Sequence, residues 1–160
     1  MQQRSTTNDS PGVTVLPPKI FSLCFLAGAI LEFVFPTRLP WSSSVISVSS
    51  GGILSAFGFL ILMYAHSTFQ RNETHTHPNL PAKKLISFGI YTITRNPMYL
   101  GSVIFFVGLA LVFSSLWLAG SAVMIWCYLQ WYVIPKEEAY MLRKFGDEYA
   151  LYKKTARRWV

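Results

Sequence analysis

The sequence predicts an all-α integral membrane protein, with four transmembrane helices of which the last two form a C-terminal helical hairpin, followed by an amphipathic interfacial C-terminal helix. Three observations carry that reading. The 160 residues are 52% hydrophobic and 16% aromatic but only 13% charged, about half the ~25% charge usual in soluble domains. Mean hydropathy is +0.36. Four apolar runs recur along the chain, and Asn96 to Pro135 contains no Asp, Glu, Lys or Arg. Disordered, collagen-like and disulfide-scaffold chains are excluded by the same composition. The length suits one domain, placed at residues 19–160.

Residues 1–18 are polar and carry Pro11, Gly12, Pro17 and Pro18. They are expected to be a disordered tail and do not have the pattern of a cleavable signal. The first span covers about 20–35 and is interrupted by Glu32, which is close enough to Pro36 to reach the outer interface. Thr37–Ser44 follows as a short outer loop with Trp41 at the interface. The second span, about 45–65, is free of charge and meets the ~20-residue requirement of a bilayer core. It carries Ser47, Gly51 and Ser55 four apart, with Gly52, Ala56 and Gly58. Small residues let another helix approach closely, and packing within the molecule is expected ahead of a dimer. Gly101 and Gly108 invite the same interpretation.

A single helix over the charge-free stretch would measure ~60 Å, twice the hydrocarbon thickness, so it must fold back. Ser114-Ser115 is the natural turn between spans at about 97–113 and 116–134. These blocks lack the polar face of a helix on a soluble surface. After Pro135, Leu142, Phe145, Tyr149, Tyr152 and Ala156 recur at steps of three and four. That spacing predicts an amphipathic helix over 136–157, lying at the interface with its basic residues reaching the headgroups.

Thirteen of the 14 Lys and Arg residues fall in the N-terminal tail, the loop at about 70–96 and the C-terminal segment, against Arg38 alone on the other side. Positive charge stays inside, so both termini and the long loop are expected to be cytoplasmic. The net charge of +7 is then what a membrane protein keeps on its anionic inner face, and no nucleic-acid partner is expected. Cys24 and Cys127 sit in apolar runs and say nothing of redox compartment.

The loop concentrates the polar residues. His75 and His77 lack the further ligands of a metal site, so no metal is expected. Asn72-Glu73-Thr74 fits the glycosylation pattern but falls on the cytoplasmic side, where it would go unused. At Arg95-Asn96-Pro97, the proline suits the first turn of a span, and free backbone N–H groups beside a guanidinium can receive an anion. Gly101, one turn later, would leave room for a ligand against the backbone. Arg95 as a snorkelling anchor and Tyr99 as an aromatic-belt residue account for the same residues equally well. Glu137-Glu138 after Pro135 reads as a helix cap or as a carboxylate for an ammonium or sulfonium group. The hairpin brings Arg95 and Glu137 to one side, where together they would suit a zwitterionic amino-acid ligand.

Leu85-Ile86-Ser87-Phe88-Gly89-Ile90-Tyr91, Arg95-Asn96-Pro97-Met98-Tyr99-Leu100-Gly101, Glu137-Glu138, Phe145-Gly146, Tyr149 and Tyr152 follow one another around the charge-free hairpin. In that order they resemble the isoprenylcysteine carboxyl methyltransferase family, especially its small bacterial members, and more distantly the phospholipid N-methyltransferases. The resemblance spans Lys83 to Arg158. It implies an integral-membrane methyltransferase using S-adenosyl-L-methionine, with a lipophilic small-molecule substrate entering from the bilayer. It also places the cofactor at the cytoplasmic face, against Lys83, Lys84, Leu85, Ile86, Tyr91, Asn96, Pro97, Met98, Tyr99 and Glu137. Arg95 and Glu138 complete the candidate cofactor set, and no catalytic residue is singled out. Asn96 stands where the family has histidine, and Val133 where the eukaryotic enzymes have a substrate-contacting arginine. The resemblance therefore implies the reaction and leaves the acceptor open: a carboxylate, hydroxyl or amine of an isoprenoid- or lipid-like molecule. The alternatives are a membrane reductase with a nicotinamide cofactor, for which little loop is left, and a non-enzymatic four-span protein. The oligomeric state is left open.

Overall fold

Pro17 and Pro18 open the first helix, where a missing N–H costs nothing, and the helix runs over Pro17–Val34 (α1). This computed structural model of the protein describes residues 10–37, 44–72 and 82–160. Ser44 caps α2, Val45–Arg71, by accepting a 3.1 Å hydrogen bond from Ser47 N. A 3₁₀ turn at Gly89–Thr92 leads into α3, Pro97–Val112. The chain reverses at Ser114-Ser115 and continues as α4, Leu116–Tyr128, a π-helical turn at Leu129–Val133, and α5, Ile134–Phe145. The last helix is α6, Asp147–Thr155. The described residues contain no strand, only a parallel bridge between Thr94 and Arg157.

Three helical stretches are long and apolar enough to cross a membrane: α1, α2 and the continuous Leu116–Phe145. The fourth apolar helix, α3, has 16 residues and falls short of the ~20-residue span. Large apolar side chains such as Phe33, Ile46, Ile53, Phe57 and Leu60 stay exposed on α1 and α2, as lipid-facing residues do. The helices lie in the order α2, α3, α4, α1, with α2 against α3 the most extensive pairing.

Glycine makes that pairing possible. A Cβ on Gly58 would stand 2.6 Å from Gly101 O, and one on Gly108 2.5 Å from Ser55 N. The expected small-residue stripe thus packs within the molecule through Ser47, Gly51, Ser55 and Gly58, while Gly52 and Ala56 face away. The ligand space expected at Gly101 does not exist, because a Cβ there would come within 2.7 Å of Leu62 N and within 2.6 Å of Gly58 O. The backbone of α2 fills it.

At the hairpin turn Ser115 accepts from Leu118 N at 3.2 Å and donates to Glu32 Oε2 at 2.6 Å. Glu32 is thereby tied to the start of α4. The outer loop residues 38–43, with Trp41 and Arg38, lie outside the described residues, as do His75, His77 and Glu73-Thr74 of the glycosylation pattern.

Several expectations need correcting. Residues 10–16 are docked, although they belong to the segment expected to be disordered. Val13 is 1% exposed in the main core cluster, Thr14 Oγ1 lies 2.6 Å from Tyr132 Oη, and Tyr128 Oη donates to Val15 O. One apolar side chain, two phenols and the Lys136 ammonium, which donates to Gly12 O at 3.2 Å, hold it. No separate helix begins after Pro135. Proline removes one helical N–H and crowds the carbonyl a turn earlier, and here the helix widens into the π turn and continues. The single interfacial helix expected over 136–157 is divided at Gly146, whose φ of 53° and ψ of −125° favour glycine. Its apolar face does not lie flat on lipid: Tyr149, Tyr152 and Ala156 are buried in a second core cluster with Ala65, Ile86 and Tyr91.

Candidate functional site

The lead-in to α3, the top of α5 and the C-terminal residues meet at one end of the helix layer. Thr94 is 1% exposed; its hydroxyl accepts from Asn96 N and donates to Arg158 O, each at 3.2 Å. Arg95 N donates to Arg157 O at 2.8 Å, and Asn96 Nδ2 to Arg158 O at 2.9 Å. The segment expected to open a ligand site at the start of α3 is thus sewn to residues 157–158 by backbone and side-chain bonds. Asn96 uses its side chain in that seam and does not cap α3.

The two adjacent glutamates leave α5 about 100° apart, so they face different surroundings. Glu138 receives Arg95 Nη2 at 2.7 Å, Arg158 Nη2 at 2.7 Å and Arg158 Nε at 3.2 Å, with Lys153 Nζ at 4.0 Å. Arg95 also donates Nη1 to Ala156 O and to Lys153 O, capping the carbonyl end of α6. Its Nε is buried and meets no acceptor among the described residues. Glu137 by contrast accepts one hydrogen bond, from Tyr99 Oη at 2.6 Å. Among the described residues it faces no Lys or Arg within ion-pair distance, and it is only partly buried. The expected juxtaposition of Arg95 with Glu137 is therefore not direct: Arg95 pairs with Glu138, and Glu137 pairs with Tyr99.

The remaining candidates fall into two groups. Lys83 and Lys84 are exposed, with Leu85 half-buried beside them, on a segment tethered where Ala82 N donates to Tyr140 Oη at 3.0 Å. Ile86 and Tyr91 are core residues, 5% and 3% exposed, and Met98 packs at the edge of the same cluster. The Tyr91 ring lies 5.4 Å from Phe69, its hydroxyl donates to Ala65 O at 3.4 Å, and its carbonyl accepts from Tyr152 Oη at 2.7 Å. Burial raises the hydroxyls of Tyr91 and Tyr149 above the usual phenol range and pushes Tyr152 up to about 12, so all three are protonated donors at neutral pH. Pro97 is fully buried at the start of α3.

Sequence reasoning missed Arg158, Thr94, Tyr140 and the pair formed by Trp159 Nε1 and Gln130 Oε1 at 2.7 Å. The expectation for the C-terminal basic residues was contact with headgroups; the Arg158 guanidinium turns inward to Glu138. Nothing in the spacing of residues so far apart marks that pairing. Among the described residues no cluster of His, Cys, Asp or Glu could hold a metal.

The site can do two things chemically. The Glu138 cluster locks three chain segments in place. The Glu137 and Tyr99 pair presents an uncompensated carboxylate, steadied by one phenol, beside that frame. A family model described as phospholipid methyltransferase matches residues 46–148, from the start of α2 to the start of α6. No curated protein and no solved structure matches the chain.

Proposed function

Because the chain belongs to the phospholipid methyltransferase family, we propose that it transfers a methyl group from S-adenosyl-L-methionine to a lipophilic acceptor at the cytoplasmic face of the membrane. Family membership and the apolar helices make it an integral membrane methyltransferase. The finer reading has four spans, with α3 the shortest, and both termini on the cytoplasmic side, as the basic residues favour. One observation carries the site: the Glu137 carboxylate, hydrogen-bonded among the described residues to Tyr99 alone, beside the frame of Arg95, Glu138 and Arg158.

The residues present suit the cofactor's chemistry. S-adenosyl-L-methionine would supply a methyl group activated by a sulfonium, together with an ammonium, a carboxylate and an adenosine. Glu137 would hold a cationic group. The backbone N–H groups of Met98 and Tyr99 receive no side-chain cap and are suited to a carboxylate. Lys83 to Ile86, tethered to Tyr140, would cover it.

The enzyme's own contribution is orientation and exclusion of water. Tyr99 fixes the carboxylate of Glu137, and the seam from Thr94 to Arg158 fixes the start of α3. Both guanidinium groups here are already taken by Glu138, so an acceptor carboxylate finds no arginine to bind it. An amine acceptor needs no such partner and suits the arrangement better, entering as the neutral amine that attack requires.

The test is calorimetric binding of S-adenosylhomocysteine to the detergent-purified protein, with Glu137→Gln and Tyr99→Phe alongside. Binding by the wild type that Glu137→Gln abolishes and Tyr99→Phe weakens is the expected result. A folded wild type that binds none would overturn the proposal and return attention to nicotinamide cofactors or a non-enzymatic role.

A further inference from the structure

A cavity of about 430 Å³ lies between α3 and α4, lined by apolar side chains that include Val103, Val107, Ala110, Ala119, Ala122 and Trp126. We propose that this groove seats the hydrocarbon chain of the methyl acceptor, holding its reactive head at Tyr99 and Glu137; the inference rests on the methyl-transfer reading above and deepens it.

Three features support this occupant. The first is chemistry. The lining offers no polar partner, and a groove of this kind among lipid-facing helices takes hydrocarbon in preference to water. The second is continuity. Tyr99, Val103 and Val107 are spaced four apart and stand on one face of α3, so the groove's end at Val103 is one helical turn from the phenol that holds Glu137. The third is the shape of the walls. Ala110, Ala119 and Ala122 keep the groove open, and Trp126 lines it near the C-terminal end of α4. The Trp126 ring lies 5.4 Å from Trp131 and 6.5 Å from Trp159, and Trp159 is pinned to Gln130. Such an aromatic cluster belongs at the boundary between chain and headgroup. A lipid with its chain in the groove therefore has its headgroup level with the site.

The test uses the full chain in vesicles made from the total lipid extract of a bacterial membrane, with methyl-labelled S-adenosyl-L-methionine. Ala119→Phe fills the groove from α4 and Val107→Trp from the rim of α3; Val48→Trp, on the exposed side of α2, is the control. Either filling variant is expected to lower incorporation roughly tenfold or more, mainly through KM for lipid, since a blocked apolar pocket discriminates by such factors. Affinity for S-adenosylhomocysteine and Tm should hold, and the control should match the wild type. Wild-type incorporation by both filled, folded variants would overturn the assignment and make the groove a seat for bystander lipid. A wild type that binds S-adenosylhomocysteine yet labels no lipid would overturn it too. Failure to bind S-adenosylhomocysteine at all strikes the parent reading instead, so the two failures are told apart.

Discussion

Glu137 and Glu138 are neighbours in sequence and opposites in surroundings. Glu138 is saturated by Arg95 and Arg158, each 2.7 Å away, and its side chain is 10% exposed. Glu137 has a single phenol. A buried carboxylate with two guanidinium partners is a structural tie, because removing one side strands charge in a poorly solvated place. A carboxyl group with one neutral partner gains from a cation that arrives. The difference places a structural tie at one residue and, on the function proposed above, a ligand contact at the next, with one step of a helix separating them.

Substitutions can break this contrast. Glu137→Gln should abolish S-adenosylhomocysteine binding and methyl transfer with it, while Tm in detergent stays near the wild-type value. Radiolabel incorporation and a thermal melt of the same preparation check it; a large fall in Tm would make Glu137 structural as well. Glu138→Ala should do the reverse. It strands Arg95 and Arg158, and loss of about 3–5 kcal/mol is expected, seen as a markedly lowered unfolding midpoint. Glu138→Gln, which can still accept hydrogen bonds, should recover part of that loss.

A smaller effect sharpens the comparison by moving away from charge. Gly101→Leu drives a side chain into the backbone of α2 at Gly58 and Leu62, and overpacking of this kind costs about 1–3 kcal/mol or more. Its unfolding midpoint should lie above or level with that of Glu138→Ala. If Gly101→Leu proved neutral, the approach of α2 to α3 would be looser than the geometry requires. Smallest is Tyr132→Phe, which removes the 2.6 Å contact with Thr14 and should cost about 0.5–1.5 kcal/mol. Faster proteolysis within residues 10–16 would register it, with the rest of the molecule unaffected.

Local signals in the chain reached as far as local physics reaches. Ser114-Ser115 is a turn because a charge-free stretch of that length cannot run straight within one bilayer, and the turn stands there. Gly51 and Gly58 lie at a helix crossing because small residues in a stripe allow one. The motif residues around Arg95, Tyr99 and Glu137 were legible as chemistry, though their pairing was not. Which glutamate takes Arg95 depends on the rotation of α5, and that rotation is changed by the π turn at Leu129–Val133. A single added residue per turn leaves no mark in a hydropathy pattern.

By itself, then, the sequence determined that the chain is helical, apolar enough for a membrane, opened at Pro97 for its third helix and reversed at Ser114-Ser115. Those properties follow from composition, period and proline, each read within a few residues. The tertiary structure alone decided that α2 occupies the space beside Gly101, that residues 10–16 dock on Tyr128 and Tyr132, and that Arg158 closes on Glu138. All three join segments far apart in the chain. Their energies arise only when the folded backbone brings those segments together, so no local feature of the sequence announces them.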